Sequence, residues 1–347
     1  MLVNLAYLLN RPTGTTTYAL NLLPYLDTLA PRYLSTSASG LKNYIPVPEN
    51  MTAAAGVAGH LRRLRWTQFS LPSYRQTKSE LIFSPIPEAP LSLVKKPGHR
   101  PTVVTFHDLI PLRFPEFFGA IKLFYRHYIP RILAQAEQVI CNSEATARDI
   151  VEYYGIPARK LVPILIAYDH QHFQPTQTAP QIKRQTSTTL ELLKKPYFLM
   201  LGRQAPYKNL GRVIKAMQQI PDDISLVIAG PNDPRYTQQL KAKAVEIRVR
   251  SRLTFLDYVP YAQLPALLSH AHVLVFPSLW EGFGLPALEA MACGTPVITS
   301  NLSSLPEVVG EAALLVDPYR VDAIAHAMNH LCQDNTARQQ LSSAGLA

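Results

Sequence analysis

Short apolar runs recur along this 347-residue chain, and amphipathic stretches separate them. In the first half the runs predict buried strands at Leu2–Tyr7, Thr102–Phe106, Gln138–Cys141 and Leu161–Ile166. In the second half they predict Tyr197–Leu201, Ser225–Ala229, Leu253–Leu256, Val273–Phe276, Val297–Thr299 and Ala313–Val316. Apolar strands alternating with helical stretches predict parallel sheets joined by crossover helices. After the opening strand, Tyr18, Leu22, Tyr25, Leu26 and Leu29 mark one helix face. Residues 35–60, rich in Ser, Ala, Pro and Gly, read as a long loop. The polar stretch from Gln174 to Lys195 holds no apolar run and reads as a linker. The expected organisation is an α/β chain. Its first domain is 1–173, its linker 174–195 and its second domain 196–347.

Composition narrows the class. With 47% hydrophobic and 17% charged residues the chain is globular, not disordered. No apolar run approaches the roughly 18–20 residues needed to span a bilayer. The opening stretch, Met1–Gly14, lacks a basic region and a small-residue cleavage site, so it reads as a strand and not as a signal peptide. Cys141, Cys293 and Cys332 are scattered without metal spacing, which suits a reducing cytosol. The net charge is +10, and residues 1–180 hold 18 Lys/Arg against 11 Asp/Glu. Arg62, Arg63, Arg65 and Trp66 form one basic cluster there, and Lys95, Lys96 and Arg100 another. Each is either a solvated face or a patch for anionic membranes or phosphorylated acceptors. No helix-turn-helix, finger or RNA-binding aromatic motif accompanies the charge, so nucleic acid is not an expected partner.

The densest chemistry lies between His272 and Pro318, in HVLVFPSLWEGFGLPALEAMACGTPVITSNLSSLPEVVGEAALLVDP. A predicted strand leads through a glycine-rich turn into a helix over about Leu285–Cys293. Pro286 suits its first position and Gly294 a left-handed end, with Pro296 preventing continuation. The amides near Phe283, Gly284 and Leu285 would face outward as donors, a ready site for phosphate. Glu281 and Glu289 flank the turn and could hold the polar remainder of a phosphorylated ligand. A second turn follows Tyr197–Leu201, where Arg203 and Lys208 suit a diphosphate as planar fork and point charge. Turns at the carboxyl ends of parallel strands are where open α/β sheets bind ligands. No Asp-any-Asp metal motif is evident, and no Gly-any-Gly-any-any-Gly opens either domain, which disfavours a dehydrogenase.

These residues carry a resemblance. Glu281 and Glu289 are separated by seven residues. Around them stand Pro-Ser, Glu-Gly-Phe-Gly-Leu-Pro, Glu-Ala-Met-Ala, Gly-Thr-Pro-Val and Pro-Glu-Val. The segment resembles the donor-site signature of the family-4 retaining glycosyltransferases. The resemblance implies two Rossmann-like domains with parallel sheets facing across a cleft, the GT-B fold. It implies transfer of a hexose from a nucleotide-diphosphate sugar to a glycan or lipid-linked acceptor with an α-linkage. It implies no cofactor beyond that co-substrate and no metal. Phe106-His107-Asp108, Trp66 before Leu71-Pro72, and Ser84-Pro85 point to a subgroup that often transfers mannose in polysaccharide assembly. GDP-mannose or a UDP-hexose is then the expected donor.

By residue, the resemblance assigns Arg203 and Lys208 to the donor diphosphate and Glu289 to the ribose hydroxyls. Glu281 and His107 belong near the transferred sugar, Glu281 as positioner or charge stabiliser. Gly14, in the loop after the first strand, is expected to approach the donor phosphates. It stands alone where relatives carry two or three glycines, and a simple turn glycine is the other reading. His107-Asp108 is open likewise to a structural reading, and Ser143 reads as the N-cap of a helix over Glu144–Tyr154. Relatives usually continue past Gly345 with a helix crossing back to the first domain, so that strap is expected to be lacking. Alternatives at this level are an inactive nucleotide-sugar-binding protein, or an epimerase or phosphorylase on the same fold. The expected location is cytoplasmic, peripherally at the inner membrane face.

Overall fold

The computed structural model describes residues 1–8, 14–38, 40–52, 55–77, 79–91, 101–177 and 195–347. The chain divides into two compact units, Met1–Ile166 and Ala167–Ala347. Residues 167–173, expected to close the first domain, pack with the second. Phe173 is buried in the second domain's core, and His172 stacks on Tyr261 at 4.0 Å. The Thr176 amide donates to Ser269 Oγ at 3.1 Å. Of the expected linker, residues 178–194 lie outside the described residues.

In the first unit, seven strands among the described residues form one parallel sheet. They are β1 (Leu2–Asn4), β2 (Arg32–Ser35), β3 (Tyr44–Pro46), β4 (Ile82–Ser84), β5 (Thr102–Phe106), β6 (Gln138–Cys141) and β7 (Leu161–Pro163). Their order is β3-β2-β1-β4-β5-β6-β7. The helices are α1 (Gly14–Leu26), α2 (Gly56–Phe69), α3 (Ile110–Arg113), α4 (Ile121–His127), α5 (Ile129–Gln135) and α6 (Glu144–Tyr154). The expected loop over 35–60 is not what forms. It contains β3, a 3-10 turn at Glu49–Met51 and the start of α2. The α1 face also differs: Leu22 and Leu26 pack on the core, whereas Tyr25 and Leu29 are exposed. The Ser143 N-cap holds, since its Oγ accepts from the Thr146 amide at 3.0 Å and α6 ends on Gly155 at φ 63°.

The second unit repeats the plan. Its strands are β8 (Tyr197–Leu201), β9 (Ser225–Ala229), β10 (Leu253–Leu256), β11 (Val273–Phe276), β12 (Val297–Ser300) and β13 (Leu314–Val316). All pair in parallel, in the order β10-β9-β8-β11-β12-β13. Its helices are α7 (Leu210–Ala216), α8 (Thr237–Glu246), α9 (Leu264–Ser269), α10 (Leu285–Ala292), α11 (Leu305–Val309), α12 (Val321–Gln333) and α13 (Asn335–Leu346). Side chains alternate between two cores. Phe198, Met200, Val273 and Val275 pack to one side, and Tyr197, Leu199, Leu274 and Phe276 to the other. Both faces are covered, so the strands are apolar at most positions, with Ser225, Thr254, Thr299 and Ser300 the buried exceptions, which is why they were legible as near-continuous runs. At the end of the chain, α13 packs on α10, with Ser342 Oγ donating to the Gly294 carbonyl at 2.6 Å.

Each strand order reverses once, between β1 and β4 in the first sheet and between β8 and β11 in the second. At such a point the flanking loops leave in opposite directions and open a crevice at the carboxyl ends of the strands. The loops after β8 and β11 carry Arg203, Lys208 and Glu281.

Candidate active site

The chain leaves β8 through Gly202, whose φ of +132° is strained for any residue with a side chain. Gly230 packs against it so closely that an added Cβ would fall 2.1 Å from the Gly202 carbonyl oxygen. A 3-10 turn at Pro206–Lys208 follows, and Asn209 starts α7 in the left-handed region at φ 66°. Asn209 Nδ2 donates to the carbonyls of Pro277 at 3.0 Å and Pro318 at 2.6 Å. The Leu279 amide donates to the Tyr207 carbonyl at 2.7 Å. These bonds tie the turn after β8 to the loop after β11. They bring Lys208 Nζ to 2.6 Å from Glu281 Oε1, with Nζ also 5.0 Å from the centre of the Phe276 ring. Both side chains are largely withdrawn from solvent.

The loop of Glu281 is held from the other side by two serines that follow β12. The Glu281 amide donates to Ser303 Oγ at 3.1 Å. Ser304 Oγ lies 3.1 Å from the Glu281 carbonyl and 2.6 Å from that of Phe283. Gly284, at φ +113°, is the N-cap of α10, and an added Cβ there would meet Leu305 Cδ2 at 2.6 Å. Glycine is therefore required twice over, by backbone angle and by space. It brings no capping side chain, so the amides at the helix entry, those of Phe283 and Gly284 before it and of Leu285 at its first position, lack intrahelical acceptors. Pro286 is the second helical residue and not the first. Gly294 ends the helix at φ +74°, as its sequence context predicted.

Glu289 lies one turn into α10 and is partly buried, with no salt-bridge partner among the described residues. Burial pushes its carboxyl up to about 7. The nearby Tyr261 hydroxyl is pushed up to about 12, first by burial and then by the charges of Asp169 and Glu289. Arg203 does not join Lys208 and Glu281. Its side chain is 64% exposed and its Nε lies 3.9 Å from Asp233 Oδ2. Asp233 is buried and bonded also by Arg235 at 2.9 Å, which holds its carboxyl below the usual range. Among the described residues no three His, Cys, Asp or Glu gather as a metal-binding group.

In the first domain His107 follows β5. Its Nε2 is 2.8 Å from the Pro85 carbonyl, and its ring meets Tyr18 edge-on at 5.1 Å. A carbonyl only accepts, so the proton sits on Nε2 and Nδ1 carries the lone pair. Burial lowers the pKa, leaving the ring neutral at pH 7. Asp108 has a structural part, its Oδ1 accepting from the Ile110 amide at 2.9 Å. Gly14 is the first residue of α1, with no atom of the described residues within 4 Å of where its Cβ would be. Residues 9–13 before it lie outside the described residues.

The basic cluster on α2 splits. Arg63 is buried, with Nε and Nη2 each 2.8 Å from an oxygen of Glu88 and Nη1 3.0 Å from the Met51 carbonyl. Trp66 is buried against Tyr74. Only Arg62 and Arg65 are exposed, so Arg63 and Trp66 belong to the interior and not to a surface patch. The cluster Lys95, Lys96 and Arg100 lies outside the described residues. No helix among the described residues is long and apolar enough to cross a membrane.

The sequence reasoning missed Asn209, Ser303, Ser304 and Glu88. Asn209 alone carried a signal, a short amide residue directly after Lys208 at a helix entry. The other three act from loops whose contacts are set by the fold.

Comparison with known proteins covers both domains. Residues 13–172 match the family model described as Glycosyltransferase Family 4, and residues 182–346 the model described as Glycosyl transferases group 1. The chain is similar to O-antigen chain mannosyltransferase B of Escherichia coli, 33% identical over 71% of this chain and 65% of that protein. It is similar also to O-antigen chain mannosyltransferase RfbU of Salmonella typhimurium, 30% identical over 63% of this chain and 57% of that protein. The chain thus spans less than two thirds of the length of these relatives. Its fold is that of HepE from Anabaena, solved in complex with UDP and glucose (TM-score 0.76, 20% identity, 100% of this chain and 94% of that one). Sucrose-phosphate synthase from Thermosynechococcus elongatus shares it too (TM-score 0.73, 20% identity, 99% and 92%).

Proposed function

The chain belongs to the group 1 glycosyltransferases of family 4, and on that premise we propose that it transfers a hexose from a nucleotide-diphosphate sugar to a glycan or lipid-linked acceptor, with retention and an α-linked product. One observation carries the reading. The Lys208–Glu281 pair and the N-terminus of α10 lie together where the order of the second sheet reverses. The similarity to two O-antigen mannosyltransferases favours GDP-mannose as donor.

In this reading Lys208, Arg203 and the amides of Phe283, Gly284 and Leu285 take the donor diphosphate. The leaving nucleoside diphosphate gains negative charge as the glycosidic bond breaks, and fixed cations and amides stabilise that charge most in the transition state. These protein groups, without a metal or further cofactor, neutralise the leaving group. Glu289 accepts from the ribose hydroxyls. Glu281 positions Lys208 and the transferred sugar, and the acceptor hydroxyl attacks from the face the diphosphate leaves. The neutral His107 serves the transferred sugar as a hydrogen-bonding group, and Gly14 approaches the phosphates.

We propose further that it works in the cytoplasm, peripherally at the inner membrane face. Val57, Leu61 and Phe69 of α2 are exposed, and Arg62 and Arg65 stand among them. An apolar strip with basic neighbours suits an anionic bilayer carrying a lipid-linked acceptor.

Donor turnover screened across GDP-, UDP- and ADP-sugars tests the proposal. Cleavage of one donor class by wild type, lost in Lys208→Ala, is expected. Nucleotide binding with no turnover of any donor, acceptors supplied, overturns the transferase reading and leaves a binding protein. Equal sedimentation with neutral and anionic vesicles overturns the membrane contact.

A further inference from the structure

A groove of about 520 Å³ opens between α7 and α8 on the second domain. Pockets of this size hold a small organic ligand. Three cations line it, Arg212 and Lys215 from α7 and Lys243 from α8, and none of its lining residues is acidic. Leu210, Leu240 and Val321 supply an apolar floor, and Tyr236 an aromatic wall. Gly211 sends no side chain into the space.

The cations are not equally committed. Lys215 has no ion-pair partner among the described residues and is exposed. Lys243 pairs at 2.6 Å with Glu246, which lies outside the lining. Arg212 Nη1 donates to Asn209 Oδ1 at 2.9 Å, and its guanidinium lies over the Tyr319 ring at 5.3 Å. Three positive groups around one partly apolar concavity attract a compact anion that also carries a ring. Phosphate on a hexose meets both halves of that description, through charge-assisted bonds to the cations and ring contact with Tyr236.

The groove is separate from the donor residues. Arg203, Lys208, Glu281 and Glu289 do not line it, although Pro206 and Asn209 of the same turn do. We propose that this groove binds a phosphorylated, hexose-sized ligand at a second site on the donor domain. The site also has a route to the first one, and this step rests on the donor-site reading given above. Asn209 holds the carbonyls of Pro277 and Pro318 and stands next to Lys208. A phosphate that draws Arg212 away from Asn209 Oδ1 loosens the tie that sets Lys208 against Glu281.

The test is calorimetric titration of the full chain with mannose 6-phosphate, inorganic phosphate and mannose as probes. It is run without nucleotide and again with saturating nucleoside diphosphate. The expected result is one hexose phosphate per chain, bound in both conditions, with mannose silent. A phosphate signal as strong as that of the hexose phosphate identifies free phosphate as the ligand and overturns the hexose part. The double variant Lys215→Ala/Lys243→Ala is expected to bind about tenfold more weakly or worse, the scale of a lost charge-assisted bond. Both lysines are solvent-facing, so the fold is not at risk. Lys208→Ala should bind hexose phosphate as wild type does. Binding unchanged in the double variant but lost in Lys208→Ala, or displaced by nucleoside diphosphate, assigns the ligand to the donor site and overturns the proposal. No binding at millimolar probe overturns it as well. Failure of the donor reading shows separately, as absence of any nucleoside diphosphate binding.

Discussion

Each sheet has one place where its strand order reverses, and the two places are furnished differently. In the second domain an ion pair, Lys208–Glu281, stands at the carboxyl edge beside bare helix amides. In the first, the loop after β4 delivers Glu88 inward to a two-pronged bond with Arg63, and His107 beside it is neutral. One point charge with a single short contact can exchange its partner for a phosphate. A guanidinium buried between both oxygens of Glu88, the Met51 carbonyl and His60 Nδ1 is committed to the interior. On the proposed donor reading, charge serves ligand exchange in one domain and internal order in the other.

The largest effect should come from breaking the inner pair. Arg63→Ala leaves Glu88 buried without its cation and should cost about 3–5 kcal/mol of stability, read as a lower urea midpoint. The double variant Arg63→Met/Glu88→Leu should recover most of that loss, because it removes both charges and fills the volume. Nucleoside diphosphate affinity should be unchanged in it. A loss of affinity as large as that of a donor-site variant would erase the distinction between the two domains.

Lys208→Ala comes next. Binding of nucleoside diphosphate should weaken by about 1–3 kcal/mol by calorimetry, the cost of one charged hydrogen bond. Unchanged affinity would remove Lys208 from the donor site, whatever the change in stability.

Glu289 gives a smaller effect with a defined sign. Burial holds its carboxyl near 7, and under the proposed donor site the ribose hydroxyls would donate to it and favour the charged form. Binding therefore drives the proton off, and affinity should rise from pH 6 to pH 8 by up to about tenfold. The nucleotide's own phosphate titrates near pH 6, so the readout is the difference from Glu289→Gln, which keeps only that part. Stability runs the other way. A folded pKa raised above the ordinary 4.5 gives stability that is full below that value and lost as pH rises toward 7. Glu289→Gln should therefore melt higher than wild type at pH 8. Equal pH slopes in the two proteins would show that Glu289 does not meet the ribose.

The same contrast explains what could be read from the chain. Strands β8 to β11 were legible to the residue because they are covered on both faces and, apart from Ser225 and Thr254, apolar. Strands β2, β3 and β4 were not, because Arg32, Ser35, Pro46 and Ser84 interrupt their short apolar runs at the ends. At the proposed donor site the residue types were legible, since phosphate chemistry calls for cations and bare amides at a helix entry. Their pairing was not, because it depends on Asn209 spanning to Pro277 and Pro318. Arg63 and Glu88 lie 25 positions apart, and no local pattern links them. Arg63 therefore read as one more surface charge beside Arg62 and Arg65.

Gly14 supplies the smallest effect and the sharpest question about the first domain. Its φ is not in the left-handed region, and none of the described residues lies within 4 Å of where its Cβ would be. An alanine there costs no strain and shortens the list of unfolded conformations. Gly14→Ala should therefore stabilise the protein by roughly 0.4–1 kcal/mol, a small rise in Tm. If Gly14 is only a permissive helix start, kcat/KM for the donor sugar rises or stays level with the Tm. If the glycine is kept for close approach to the donor phosphates, the same methyl lowers kcat/KM while Tm still goes up. Folding alone cannot separate the two quantities in opposite directions, so that split would place a donor contact in the first domain, and its absence would restrict donor contacts to the second.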